Sequence, residues 1–468
     1  MLDKKVIYQK YKDAGQEHVF KFFDEISGVE KDRFLAELAR VDLDELSQIY
    51  GLKDSSATEN KGKLEAAEVT KLPVSKKDFQ KFADAHQLGE ELIRKGKVAC
   101  FVVAGGQGSR LGFEGPKGAF DVKLPSGKSL FELQADQIAA ASRFYGVSIP
   151  WYIMTSQTNH EETVKFFEDH KYFSMKRENV KFFSQDMLPA VDKNGKLILS
   201  AKDSLFMSPN GHGGSLLALE RSGALQDMKN KGIEYISYYQ VDNILIKILD
   251  PIFVGFHALQ NSELSFKMVK KRNAEEKVGV VGKKNGKLEV IEYSDLPHDE
   301  MHAKDGSGEL KFWSGSIAIH MFNVSFIKKI VSNGFSLPYH IAEKSIPYIN
   351  AEGQLIKPSE KNGIKFETFV FDSIKFTKNV FLLEVDREEE FGPVKNKDGE
   401  DSPITAKQMY MERCRRMLLA NTNQAEKINQ IKRAKSVEIS PLVAYQKEEI
   451  ASFLKEHNLD KPDICFIK

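Results

Sequence analysis

Apolar residues along the first 95 positions recur at helical spacing. Phe20 and Phe23, Phe34 and Leu38, and Leu46 and Ile49 are pairs three or four residues apart on charged backgrounds, which predicts helices with one buried face. The stretch from Lys53 to Lys63 is polar and reads as a loop. From Lys97 the pattern changes. Short apolar runs predict strands near 98–104, 149–155, 179–183, 234–241 and 265–270, and longer amphipathic stretches predict helices near 129–145, 158–169 and 213–229. Strands alternating with helices argue for an α/β layer with a largely parallel sheet. Strands near 278–282 and 287–293, joined across Lys284-Asn285-Gly286, predict a β-hairpin. Beyond Asn396 the chain becomes charged, then predicts a helix over about 405–420, a strand over 436–442 and a helix over 445–456.

A length of 468 residues suggests about three domains, or one large domain with flanking pieces. The patterning divides the chain into a helical region 1–95, a central α/β domain 96–395 and a small C-terminal domain 396–468. With 41% hydrophobic and 10% aromatic residues the chain can bury a sizeable core. Its 68 basic and 67 acidic residues leave a net charge of +1, which argues against nucleic acid or an anionic membrane as a bulk partner. An anionic ligand would have to be met by local cations. Cys100, Cys414 and Cys465 are odd in number, far apart and not in metal-ligand spacing, as expected of free thiols in a reducing compartment. The N-terminal stretch MLDKKVIYQKYKDAG has no apolar signal region, and no run approaches the ~18 apolar residues of a membrane span. A soluble cytoplasmic protein is expected, and nothing in the sequence specifies an oligomeric state.

The most informative stretch is FVVAGGQGSRLGFEGPKG, from Phe101 to Gly118. A buried-strand pattern breaks into Gly105, Gly106 and Gly108, and Arg110 and Lys117 follow. Glycines leaving a strand let backbone N–H groups approach an anion, and the two cations add to the field. This is suitable chemistry for a polyphosphate. The GxxxxGK[ST] loop of the P-loop proteins is absent. Gly106, Gly108 and Gly112 give GxGxxxG instead of the dinucleotide GxGxxG, and the next strand runs into Ser156 and Gln157 where a ribose-binding acid would stand. A nicotinamide enzyme is therefore disfavoured. A tight surface turn is the plainer alternative, but three glycines, an arginine and a Pro-Lys pair exceed what a turn needs. Asp242 ends the strand near 234–241, where α/β sheets bind ligands, and its hard oxygens suit Mg²⁺. A helix cap or a turn would also use an aspartate there.

The loop GGQGSRLG followed by PKG resembles the uridylyltransferase family that includes the UDP-N-acetylglucosamine pyrophosphorylases. So do FFSQDMLPA (Phe182 to Ala190), MSPNGHGG (Met207 to Gly214), YYQVDN (Tyr238 to Asn243), VIEYSDL (Val290 to Leu296), LIKPSEKNGIKFETFVFD (Leu355 to Asp372) and REEEFGPVKN (Arg387 to Asn396), in the family's order. The resemblance extends from about Gly89 to Met417 and more weakly to both ends. It implies a Rossmann-like nucleotidyltransferase domain with a mixed, largely parallel sheet, flanked by a helical N-terminal region and a small α/β C-terminal domain. It also implies attack by a sugar-1-phosphate oxygen on the α-phosphorus of UTP, with release of pyrophosphate. Mg²⁺, or Mn²⁺ in its place, is the implied cofactor.

By the same resemblance, the metal-bound phosphates of UTP fall to Asp242, and Arg110, Lys117 and Lys365 join it as the catalytic cations. Lys395 is implied to contact the substrate phosphate. Ala104, Gly105, Gly106, Gln107, Gln185 and Gly211 are implied to hold the uridine. Glu292 and Tyr293 match sugar-hydroxyl contacts, and Phe369 and Phe371 match aromatics lining the pocket for the sugar substituent. The alternation of those phenylalanines about Val370 also fits an ordinary strand with a core face. As a lone lysine, each of the three would more often be a solvated surface residue.

Two positions depart from the family pattern. His212 stands where the acetylglucosamine enzymes usually carry asparagine, and Ser316, in FWSGSI, replaces an asparagine expected near the sugar. The glycines around His212 suggest close approach of a ligand. Both departures fall on the sugar side. The leading expectation is therefore a uridylyltransferase forming UDP-N-acetylglucosamine from UTP and N-acetylglucosamine-1-phosphate. The alternatives are the same chemistry on glucose- or galactose-1-phosphate, and a nucleotide-sugar-binding protein without turnover.

Overall fold

The computed structural model describes residues 3–52, 62–332, 337–457, 459 and 463–466. Most of the segment expected as a loop between Lys53 and Lys63 lies outside these residues. The chain divides into two interleaved units: 1–62, 185–215 and 336–372 form one, and 63–184, 216–335 and 373–468 form the other.

The larger unit is built on a ten-stranded mixed sheet. Strands Tyr235–Gln240, Val98–Val103, Trp151–Thr155 and Val180–Ser184 run parallel in that order, the last at the edge of the sheet. Val98–Val103 and Trp151–Thr155 are apolar on both faces, the pattern of strands covered on both sides. Gln240 pairs with Val103, so the turn after Gln240 and the loop after Val103 emerge at the same edge. The strand Ser314–Asn323 then runs antiparallel to both Tyr235–Gln240 and Leu264–Lys270, which makes the sheet mixed. The helix Lys76–Arg94 packs on Pro251–Leu259 at backbone contact distance. A Cβ on Gly89 would lie 1.8 Å from the Pro251 carbonyl oxygen, and one on Gly255 would lie 1.7 Å from that of Ala85.

The predicted hairpin forms from Val280–Lys284 and Lys287–Ile291. Asn285 and Gly286 take φ of 52° and 77°, the left-handed pair that a tight two-residue turn requires. The helix expected over 213–229 is two helices, Gly214–Arg221 and Ala224–Asn230, because Gly223 adopts φ 73° between them. Leu64–Ala66, within the region expected to be helical, adds a strand to the hairpin. In the C-terminal part, helix Pro403–Ala420 packs beside Ser436–Ile439, which pairs in parallel with Asp463–Phe466.

The smaller unit holds three helices, Lys4–Asp13, Gly28–Arg40 and Leu43–Gly51, over a three-stranded sheet of Tyr339–Lys344, Gly363–Thr368 and Val191–Asp192. Phe20, Phe23, Phe34, Leu38, Leu46 and Ile49 share its core with Ile364 and Phe366. Phe369 and Phe371 do not continue the strand, which ends at Thr368, and Val370–Phe376 is a 3-10 turn. Among the described residues no helix is long and apolar enough to cross a membrane. Cys100, Cys414 and Cys465 are free thiols.

Candidate active site

In the larger unit the glycine loop is pinned from below. The buried Asn159 side chain donates to the carbonyls of Ala104 at 2.9 Å and Gly106 at 3.3 Å, and the Lys117 amide donates to Gly106 O at 3.0 Å. Sequence reasoning missed Asn159, since an asparagine 53 positions from the loop carries no local signal. Gly106 and Gln107 are exposed, and a Cβ on Gly106 would meet nothing within 4 Å. The loop thus presents open backbone on one side and is fastened on the other. Arg110 is exposed at its far end.

Asp242 follows the central strand, and the Lys117 ammonium donates to its carboxylate at 3.0 Å. Burial alone would raise the Asp242 pKa, but Lys117 and then Lys395 more than offset it and hold the carboxyl below its ordinary range. The Lys395 ammonium lies over the Phe391 ring, 5.8 Å from its centroid. Loop, Lys117, Lys395 and Asp242 therefore lie in one cluster.

A second group in this unit surrounds Gly279. The Ser316 amide donates to Gly279 O at 2.8 Å, and a Cβ on Gly279 would lie 3.1 Å from Glu292 Oε1. Tyr293 is exposed beside them. Two residues beyond Ser316 the strand bulges: the register shifts between Ser316 and His320, and Ala318 takes φ 56°. Such bulges re-aim neighbouring side chains.

In the smaller unit, Gln185 is buried and its Oε1 has no hydrogen-bond partner among the described residues. Gly211 and Gly213 press on the end of the Gly363–Thr368 strand. A Cβ on Gly211 (φ 79°) would lie 2.3 Å from Thr368 O, and the Gly213 amide donates to that oxygen at 2.8 Å. The close approach here is to the protein's own backbone. His212 Nδ1 accepts from the Val370 amide at 3.1 Å, and its ring stacks on Phe369 with centroids 5.2 Å apart. Phe371 completes the cluster 5.1 Å from Phe369. His340, which no motif indicated, lies against Phe369 at 4.3 Å and pairs with Asp372 at 2.7 Å. Burial pushes the His212 pKa down to about 4; Asp372 opposes this and His340 adds to it. His212 is therefore a neutral imidazole at pH 7. Lys365, also in this unit, sits over the Phe206 ring at 4.9 Å, and burial lowers its pKa.

The sequence pattern of the UTP–glucose-1-phosphate uridylyltransferase family matches residues 49–460. The chain belongs to that family. As a member, it is a nucleotidyltransferase of the UTP:sugar-1-phosphate class. It is 37% identical to a Xenopus tropicalis protein named UDP-N-acetylhexosamine pyrophosphorylase-like protein 1, over 96% of this chain and 94% of that one. It is likewise 37% identical to the UDP-N-acetylglucosamine pyrophosphorylase of Saccharomyces cerevisiae, over 95% of this chain and 96% of that one. The crystal structure of the uridine diphosphate N-acetylglucosamine pyrophosphorylase from Trypanosoma brucei, in complex with inhibitor, superposes with a TM-score of 0.87 at 27% identity, over 100% of this chain and 99% of that one.

Proposed function

We propose that this uridylyltransferase forms UDP-N-acetylglucosamine and pyrophosphate from UTP and N-acetylglucosamine-1-phosphate. The observation that carries the chemistry is the Lys117–Asp242 pair beside an open glycine loop. The choice of sugar leans on relatives of that name matching nearly the whole chain.

The attacking group is a phosphate oxygen of the sugar phosphate, already an anion at neutral pH. It bonds to the α-phosphorus of UTP while the bond to the β-phosphate oxygen breaks, and pyrophosphate leaves. No protein nucleophile or general base is required. The protein's task is to align two anions and offset their repulsion. Ala104, Gly105, Gly106 and Gln107 offer backbone to the nucleotide, and Gln185 and Gly211 read the uracil and ribose. Lys117 and Arg110 meet the triphosphate, and Lys365 and Lys395 meet the reacting phosphates. Among the described residues no three His, Cys, Asp or Glu side chains form a metal cluster. A single hard carboxylate, Asp242, would hold a Mg²⁺ bound with the triphosphate. Bound there, the metal would draw charge from the phosphates. Glu292, Tyr293 and Ser316 address the sugar hydroxyls, with His212, Phe369 and Phe371 at the sugar substituent. Three free thiols agree with a cytosolic setting.

The shorter Ser316 and the aromatic His212 favour a second reading, in which the preferred sugar is glucose. A panel of hexose-1-phosphates with UTP and Mg²⁺, followed by pyrophosphate release, separates the two. Highest kcat/KM on N-acetylglucosamine-1-phosphate supports the first reading. A preference for glucose-1-phosphate by about tenfold, roughly 1.4 kcal/mol, overturns it.

A further inference from the structure

The segment carrying Lys395 is fastened to the Asp242 turn chiefly through one buried side chain. Asn243 Nδ2 donates to the Glu390 carbonyl at 2.7 Å, and Asn243 Oδ1 accepts from the Gly392 amide at 2.9 Å and the Leu245 amide at 3.1 Å. Asn243 thus grips the backbone on both sides of Phe391, the ring over which the Lys395 ammonium rests. Backbone bonds complete the seam: Ile244 N–H to Gly392 O at 3.0 Å, and Val394 N–H to Asp242 O at 2.9 Å. Gly392 permits this approach, since a Cβ there would lie 2.8 Å from Leu245 Cγ. Glu390 is anchored in turn by the fully buried Lys267, whose ammonium lies 2.5 Å from the Glu390 carboxylate and 2.7 Å from that of Asp250. A seam tied by this many buried hydrogen bonds is rigid, and a neutral amide that both donates and accepts is what it requires.

We propose that Asn243 is a positioning residue for the uridylyl transfer: it sets the Lys395 ammonium relative to Asp242 by locking the Glu390–Lys395 segment onto the Asp242 turn. Asn243 need touch neither substrate. This inference rests on the uridylyltransferase reading of the same cluster.

The test is a double-mutant cycle on the full chain, read by pyrophosphate release and by thermal melting. Activity of the parent protein tests the uridylyltransferase reading itself. With an active parent, Asn243→Ala is expected to lower kcat by on the order of 10–10²-fold with KM for UTP changed less than threefold. In the Lys395→Ala background the same change is expected to cost nothing further, because the group it positions is gone. Parent-like kcat in Asn243→Ala overturns the proposal, and so do losses that multiply in the double variant. If Asn243→Ala fails to fold, Asn243→Ser carries the same cycle: it stays neutral and polar but is too short to hold the Glu390 carbonyl and the Gly392 amide together. Coupling to Lys395 then supports the proposal, and independence overturns it.

Discussion

The Lys117 ammonium and the Asp242 carboxylate face each other at 3.0 Å with only 16% and 14% of their side chains exposed. Each neutralises the other where burial would otherwise penalise both charges. Phosphates entering the glycine loop would compete with Asp242 for Lys117, and a metal on those phosphates would give Asp242 a new partner. On the proposed reading, the pair exchanges partners when a metal-bound triphosphate enters.

Asp242→Asn keeps the shape and removes the charge. Turnover is expected to fall by roughly 10²-fold or more, the scale of removing one preorganised electrostatic group, with the fold retained. Pyrophosphate release across a Mg²⁺ titration, beside a melting curve, checks this. Activity within a few-fold of the parent would remove Asp242 from the metal site.

Lys117→Ala and Lys365→Ala are each expected to cost about 10²–10³ in rate, with Lys283→Ala as a neutral control. Burial lowers the Lys365 pKa. If its charge serves the reaction, activity falls as pH rises through that lowered value, earlier than for an ordinary lysine. Lys365→Arg stays protonated and should move the alkaline limb of kcat upward. An unmoved limb in Lys365→Arg would mean that another group sets it.

Gln185 keeps a buried carbonyl oxygen without a partner among the described residues, an acceptor suited to the uracil N3–H. UTP is expected to outcompete ATP and GTP, and Gln185→Ala to weaken UTP by about 2- to 13-fold, the worth of one hydrogen bond at 0.5–1.5 kcal/mol. Equal specificity constants for UTP and ATP in the parent would refute the base-reading role.

His212 titrates near 4 in the folded chain against 6.5 ordinarily. Between these values the unfolded chain binds the extra proton and the folded chain does not. Stability from this site is therefore complete above pH 6.5 and is lost as pH falls toward 4. His212→Asn should lose less Tm than the parent between pH 7 and 4.5. Parallel losses in the two proteins would show that His212 protonates as easily folded as unfolded.

Ser316 is shorter than asparagine and lies beside Gly279 and Glu292. Measurable activity on glucose-1-phosphate is expected alongside the acetylated sugar. Ser316→Asn should raise the preference for N-acetylglucosamine-1-phosphate by about 2- to 13-fold, one hydrogen bond's worth. An unchanged ratio of kcat/KM values would place Ser316 outside sugar recognition.

Where the pattern is local, the sequence determined it. The apolar run Val98–Val103, the Asn285-Gly286 turn and the glycine loop all express constraints that act within a few residues. The break at Gly223 and the end of the strand at Thr368 escaped the same reasoning: both interrupt a run whose apolar spacing continues unchanged. The side-chain pairs were decided by tertiary structure alone. Lys117 meets Asp242 across 125 positions, Asn243 meets the Glu390 carbonyl across 147, and His212 meets the Val370 amide across 158. The interleaving of the two units is of the same kind. Periodicity shows which face of an element is apolar, but not which distant backbone or charge that face will meet. That depends on how the strands are ordered in their sheets, and strand order is a property of the whole chain.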